Sequence, residues 1–340
     1  MLLHAAQLVL GAVSLYFGAE WLVKGASGLA LSLGLRPLVV GLTVVAYGTS
    51  APELIVSLAA VLEGRGAVAL GNAVGSNIAN LGLILGVTAL ISPPRVAGGL
   101  IWREVPFLVG TAALVPLLLL DGGVDRLEGA LLCAASIGYT VWVVRSARTS
   151  AAGGAAAGAR PPEPSPDERG AFEAAREMEV DAERAGAPGG RGTLRLALIA
   201  AVGLGLLVVG GKVFVDGAVG VALGAGMSER VVGLTIVAVG TSLPELATSL
   251  IAAARGHADI AVGNVVGSNI FNVLLILGGA ALVGPLAGSP GAMAVDLITL
   301  GGVTAFAAVA MRTERSIRRT EGATLLTMYT AFLVALVLAG

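Results

Sequence analysis

The chain has 340 residues, of which 56% are hydrophobic and 13% charged, with a mean hydropathy of +0.90 and a formal net charge of −1. A water-soluble domain would need more polar cover than this, and nucleic acid is not expected as a partner. Its lone cysteine, Cys133, excludes a disulfide within the chain and has no metal-ligand companion, so it reads as a small core residue.

Apolar runs near 3–23, 37–62, 67–92, 100–120 and 127–144 each reach the roughly 17 residues that cross a hydrocarbon core as helix. The first lacks the basic start and cleavage-like end of a signal peptide and is expected to stay as a span. From 146 to 192 the chain is rich in Ala, Gly, Pro, Arg and Glu, the composition of a solvated, flexible linker, in which 166–184 could form a short charged helix. Five more apolar runs follow near 194–225, 229–254, 259–287, 292–311 and 322–339. Lipid admits only helices or closed barrels, and continuous apolar runs select helices. The expected fold is therefore an all-α membrane protein of ten transmembrane helices, five in 1–145 and five in 193–340.

Lysine and arginine fix the expected orientation, because cytoplasmic loops retain them. With the linker inside, that side holds Lys24, Arg36, Arg95, Arg103, Arg255, Arg312, Arg315, Arg318, Arg319 and the eight arginines from Arg145 to Arg195, against Arg65, Arg126 and Arg230 outside. Both termini then lie outside the cell membrane. Trp21, Trp102 and Trp142 fall near predicted span ends, where interfacial belts favour them.

Sliding the chain against itself by 192 residues superposes GLTVVAYGTSAPELIVSLAAVLEG at 41–64 on GLTIVAVGTSLPELATSLIAAARG at 233–256. Without a gap it also superposes GNAVGSNIANLGLILG at 71–86 on GNVVGSNIFNVLLILG at 263–278. The copies agree at 28 of 46 positions, which marks an internal repeat. An odd number of spans per half makes the second copy enter the membrane from the opposite side. Inverted repeats are common in secondary transporters, with the substrate site at mid-membrane where they meet.

Each GTSxPE segment sets helix-breaking residues inside an apolar span, at Gly48–Glu53 and Gly240–Glu245. Pro52 and Pro244 cannot donate to the carbonyl four residues back, so carbonyls near Gly48 and Gly240 are expected to be freed beside the Thr and Ser hydroxyls. Glu53 and Glu245 add two carboxylates where a bare charge costs at least about 2.5 kcal/mol, and neither motif contains a basic partner. A bound cation would neutralise them. Carboxylate, hydroxyl, amide and carbonyl oxygen without His or Cys suits hard cations such as calcium and sodium rather than zinc or copper. The second motif brings Asn72, Ser76, Asn77 and Asn80, matched by Asn264, Ser268, Asn269 and Asn272. Ser76 and Asn80 share a helix face, as do Ser268 and Asn272, while Gly71 and Gly75 permit close helix approach. Taken singly, such residues often only glue helices together. Two matched glutamates without a basic partner favour an ion site over that reading. The Gly-rich stretch lacks the GK[ST] ending of a phosphate loop.

The paired GTSAPE/GTSLPE and GNAVGSNIAN/GNVVGSNIFN motifs resemble the two alpha repeats of the sodium/calcium exchanger family, and most of all its short bacterial calcium/sodium antiporters. The resemblance implies exchange of cytoplasmic calcium for external sodium by alternating access, with no cofactor and no enzymatic activity. It implies that Glu53 and Glu245 bind both ions, helped by Ser50, Ser76, Ser242 and Ser268 and by oxygens of Thr49, Thr241, Ala46 and Ala238, with Asn80 and Asn272 completing the set. Some family members carry an acid at one of those last two positions. Two Asn leave two formal negative charges, which opens the ion ratio and admits a proton as counter-ion. A divalent cation/proton exchanger is therefore the alternative, although Gly75 and Gly267 stand where the proton-using branch usually has acidic or His residues. Inverted repeats with broken helices argue against a channel, and the motifs hold no activated nucleophile for an intramembrane enzyme.

Glu20 and Lys24 align under the same offset with Lys212 and Asp216, with reversed charge. Each pair, spaced i to i+4, can stand on one helix face. Alternatively, since these helices resemble the family's moving gate pair, Glu20 could meet Lys212 and Lys24 meet Asp216. His4 and His257 are read as surface residues, and Asp296 as a cap or a local partner.

Overall fold

The computed structural model describes residues 2–32, 35, 37–94, 96, 98–156, 190–225, 238–313 and 316–339. Along the first half run α1 (Leu2–Ser32), α2 (Pro37–Val40), a π-helical segment at Gly41–Val45, α3 (Ala46–Thr49), α4 (Ala51–Leu62) and α5 (Gly66–Ala79). A second π segment at Asn80–Leu85 leads into α6 (Gly86–Ile91), α7 (Gly98–Leu118) and α8 (Arg126–Ala156). The second half has α9 (Gly190–Gly224), α10 (Ala238–Gly240), α11 (Leu243–Ala254), α12 (Ala258–Phe271), a π segment at Asn272–Leu277, α13 (Gly278–Val283), α14 (Ala294–Thr313) and α15 (Arg319–Ala339).

The protein is predominantly helical. Among the described residues six helices are long and apolar enough to cross a membrane, or seven if the pair Leu38–Thr49 and Ala51–Leu62, bent by 41°, is one span. One departure from an all-helical chain is a two-residue antiparallel pairing of β1 (Gly123–Val124) with β2 (Leu286–Ala287). Gly123 lies 2.2 Å from the Leu286 carbonyl, measured from where a Cβ would stand, and its φ of 155° suits glycine at that close approach. α8 runs on through 156, past the end of the apolar run and into the segment of linker composition. The short charged helix expected at 166–184 lies outside the described residues.

α1 and α9 form an antiparallel pair held by glycine. Gly11, Gly18 and Gly25 recur every seven residues on α1, and Gly203, Gly210 and Gly217 recur on α9 at the 192-residue offset. A Cβ on Gly18 would lie 2.8 Å from the Leu207 amide nitrogen, one on Gly25 2.5 Å from that of Ala200, and one on Gly203 2.4 Å from that of Leu22. Small residues let two membrane helices touch backbone to backbone. His4 belongs to this seam, packed on Gly217 and Gly220 and bonded to Gln7 at 3.1 Å, so it is not the free surface residue expected.

The main core gathers around α5, α12 and their π segments, with Ile78, Leu81, Ile84, Phe271 and Ile276 fully enclosed. α12 is almost wholly buried, because it crosses the first half directly: Cβ atoms on Gly263 and Gly267 would lie 3.0 Å from the Leu38 carbonyl and 2.8 Å from the Leu42 carbonyl. At Gly71 and Gly75, where the sequence predicts a similar approach, no described atom comes within 4 Å of a Cβ.

Candidate ion-binding site

Ser50 and Ser242 sit at the break before α4 and α11 with near-zero ψ, and the prolines that follow occupy the first turn, where a missing N–H costs nothing. Glu53 and Glu245 therefore stand in the first turn of their helices, where the backbone dipole favours negative charge. The break is tighter than expected: backbone N–H groups still reach the carbonyls of Ala46 and Gly48, so the Gly48 carbonyl keeps only its second lone pair for a ligand.

The two repeats complete each other. The Ser50 hydroxyl donates to Glu245 Oε1 at 3.0 Å, and Ser242 donates to Glu53 Oε1 at 3.3 Å. Both glutamates are 1% exposed. Asn72 Nδ2 donates to the Glu53 carbonyl (3.1 Å) and to Ser57 Oγ (2.9 Å). Asn264 Nδ2 makes the matching bonds to the Glu245 carbonyl (3.5 Å) and Ser249 Oγ (3.1 Å). The Thr49 hydroxyl lies 3.1 Å from Asn264 Oδ1 and 3.1 Å from the Val45 carbonyl. Asn77 Nδ2 donates to the Asn269 carbonyl at 3.2 Å, a fourth bond between repeats after the two Ser–Glu bonds and Thr49–Asn264.

Against this order stands a set of buried polar atoms with no hydrogen-bond partner among the described residues. They are Glu53 Oε2, Glu245 Oε2, both amide heteroatoms of Asn80 and of Asn272, Ser268 Oγ, Thr241 Oγ1, and the Oδ1 atoms of Asn77 and Asn269. An unpaired buried polar atom costs about 1–3 kcal/mol, so this concentration of oxygen calls for a ligand. Ser76 is buried alongside, and Ala46 lies beneath Gly267 of α12. Ala238 opens α10. Asn80 and Asn272 each begin a π segment, a local rewinding that turns their side chains off the regular helical row. No group of three or more His, Cys, Asp or Glu that could hold a metal occurs among the described residues.

The structure brings in residues that the motifs did not single out. Ser57 and Ser249 hold the asparagines behind the carboxylates, and their identity at the 192-residue offset was the available signal. Phe271, next to Asn272 in the chain, lies 3.8 Å from Tyr47 between ring centroids, the rings tilted by 31°, and meets Tyr139 edge-on. Tyr47 OH lies 2.8 Å from Thr140 Oγ1, and Tyr139 OH donates to the buried Glu104 carboxylate at 2.6 Å. Trp142 meets Phe107 in this cluster at 5.1 Å between tilted rings, while Trp21 and Trp102 are exposed.

The charged pairs fall otherwise than in the cross-helix expectation. Glu20 bonds Arg255, at the end of α11, at 2.5 Å, and Lys212 bonds Asp216 on its own helix at 3.4 Å. Antiparallel packing sets Gly18 beside Leu207 and Gly210 beside Ser14, which leaves Glu20 and Lys212 about 10 Å apart along the pair at 1.5 Å per residue. His257, half-buried at the start of α12, has its imidazole pKa pushed down by burial. Asp296 lies in the first turn of α14, where an acid complements the helix dipole.

A buried two-carboxylate, all-oxygen site shared by two matching halves of an apolar helical chain is that of a membrane cation transporter. A family model described as sodium/calcium exchanger protein matches residues 3–145 and 195–338, and the chain belongs to that family. It is 39% identical over 285 residues to the putative antiporter CaxA of Alkalimonas amylolytica, covering 84% of this chain and 82% of that one. It is 34% identical over 354 residues to the sodium/calcium exchanger MaX1 of Methanosarcina acetivorans, covering 97% of each. Among solved structures it resembles the sodium-calcium exchanger NCX_Mj with a TM-score of 0.78 and 29% identity, over 98% of this chain and 99% of that one. The protein is a multi-pass membrane antiporter of this family.

Proposed function

We propose that the chain exchanges calcium for sodium by alternating access, at one site built from Glu53, Glu245, Ser50, Ser242, Ser76, Ser268, Asn80, Asn272 and oxygens of Thr49, Thr241, Ala46 and Ala238. The reading is carried by the reciprocal Ser50–Glu245 and Ser242–Glu53 bonds, which leave the other oxygen of each carboxylate unpartnered. Two carboxylates balance one calcium, and hydroxyl, amide and carbonyl oxygens fill a flexible shell of six to eight ligands of the kind calcium takes. Sodium competes for the same oxygens, so loading with one ion excludes the other.

The scaffold is ten transmembrane helices in two inverted five-helix repeats, with the linker and the arginine-rich loops on the cytoplasmic side and both termini outside. The antiparallel run of α1 against α9, at equivalent positions of the two copies, supports the inversion. The test is uptake of radioactive calcium into proteoliposomes under an outward sodium gradient or an equal proton gradient, for the wild type and Glu53→Gln. Sodium-driven uptake that vanishes in the variant is expected. Uptake driven by protons alone would transfer the chain to the cation/proton exchangers, and no gradient-driven uptake of any divalent ion would overturn the calcium assignment.

A further inference from the structure

The 192-residue offset maps Glu20 onto Lys212 and Glu63 onto Arg255. The ion pair between Glu20 and Arg255 therefore has an image with both charges exchanged, Lys212 with Glu63. Only the first is made here. Lys212 turns to Asp216 on its own helix and Glu63 to Arg65 beside it, with the Lys212 and Glu63 side chains 78% and 57% exposed.

The helices differ in the same sense. α1 packs along α11, whereas α9 has no comparable packing along α4. Thr248 on α11 is 0% exposed, and its counterpart on α4, Val56, is 41% exposed. Six glycines bind α1 to α9 backbone to backbone, so the two shift as one body, and engagement at α11 goes with separation from α4. Charge sign reinforces the alternation, since Lys212 and Arg255 are both basic and α9 is not drawn to the end of α11.

We infer that Glu63 and Lys212 are positioning residues for exchange: they pair when the α1–α9 body rests on α4, as Glu20 and Arg255 pair when it rests on α11, each ion pair holding one access state. The inference rests on the alternating-access reading above. In that reading's orientation Arg255 is cytoplasmic and Glu63 external, so the arrangement seen is sealed inside and open outside.

Full-length Lys212→Glu and Glu63→Lys, alone and combined, would be compared for initial calcium uptake and thermal stability. Each single change is expected to slow uptake about two- to fivefold, the range of an exposed ion pair, with an unchanged melting temperature. The double change is expected to restore the rate. Lys212 and Glu63 have other partners in the state described, so a merely structural role predicts no rescue. Unaffected single variants, or a double variant no faster than the slower single, would overturn the inference. In a Cys133→Ser background, Glu63→Cys with Lys212→Cys should be joined by a short bifunctional thiol reagent, with turnover blocked. Failure to cross-link while Glu20→Cys with Arg255→Cys does so would also overturn it. Cross-linking reads geometry whatever ion is carried, so loss of sodium dependence with cross-linking intact would strike the ion assignment alone.

Discussion

Replacing Gly267 by alanine tests whether the crossing of α12 sets the size of the ion site. The added Cβ would lie 2.8 Å from Ala46 Cβ and 2.8 Å from the Leu42 carbonyl. Carbon atoms rest at about 3.5–4.0 Å, so α3 and α12 must part by nearly 1 Å. Calcium–oxygen distances span only about 2.3–2.6 Å, so on the proposed ligand set the Ala46 carbonyl then has to be drawn back before an ion is held. The ion-free protein relieves the strain by widening, and the loaded protein cannot. The overpacking cost of about 1–3 kcal/mol therefore falls on the bound state and weakens calcium about 5- to 150-fold. Calorimetric titration of purified protein measures this directly. Gly110→Ala on α7 is the control, since nothing stands within 4 Å of its Cβ, and it should leave affinity unchanged while adding about 0.5–1 kcal/mol of helix stability. A Gly267→Ala protein that binds calcium within twofold of wild type would refute the reasoning.

Two further changes probe the support behind the site. Asn264→Ala strips the donor shared by the Glu245 carbonyl and Ser249 and the acceptor near Thr49. It should cost about 1–3 kcal/mol for each group stranded, read as a fall in denaturation midpoint. Tyr139→Phe leaves the buried Glu104 carboxylate without its 2.6 Å donor and should lower stability by a similar amount. Adding Glu104→Gln, which removes the charge, should recover part of that loss. If Tyr139→Phe alone is as stable as wild type, the bond does not hold α7 to α8.

The repeat made much of this legible in advance. Most helices, the broken segments at Ser50 and Ser242, and the oxygen-bearing positions follow from apolar runs and from motifs present twice, although α1 and α8 run on to Ser32 and Ala156, well past the apolar runs that end near 23 and 144. The π segments did not, because whether a turn widens at Asn80 depends on what packs across it, and that neighbour is distant in sequence. The glycine seam was legible in principle, as heptads at matched offset, but a Gly-rich apolar helix reads as a span before it reads as an interface. Charge pairing was half legible. The offset exposed the reversed signs of Glu20 and Lys212, yet only the antiparallel register shows that Glu20 reaches Arg255 and not Lys212. Ser57 and Ser249 were overlooked because serine in an apolar helix is unremarkable until its partner is known.

Why the site should be divided between the repeats follows from its bonds. The donors of the two carboxylates cross from one half to the other, as Asn77 crosses to Asn269 and Thr49 to Asn264, while the amide N–H that braces each glutamate carbonyl comes from the same half. Each half thus shapes its own carboxylate and depends on the other to satisfy it. If the halves part on one side, a carboxylate loses its serine while water enters to replace it. If they close, the serines return and the water leaves. Opening toward either side then exchanges one set of partners for another of similar strength, and a buried pair of charges can be uncovered alternately from two directions without being left bare.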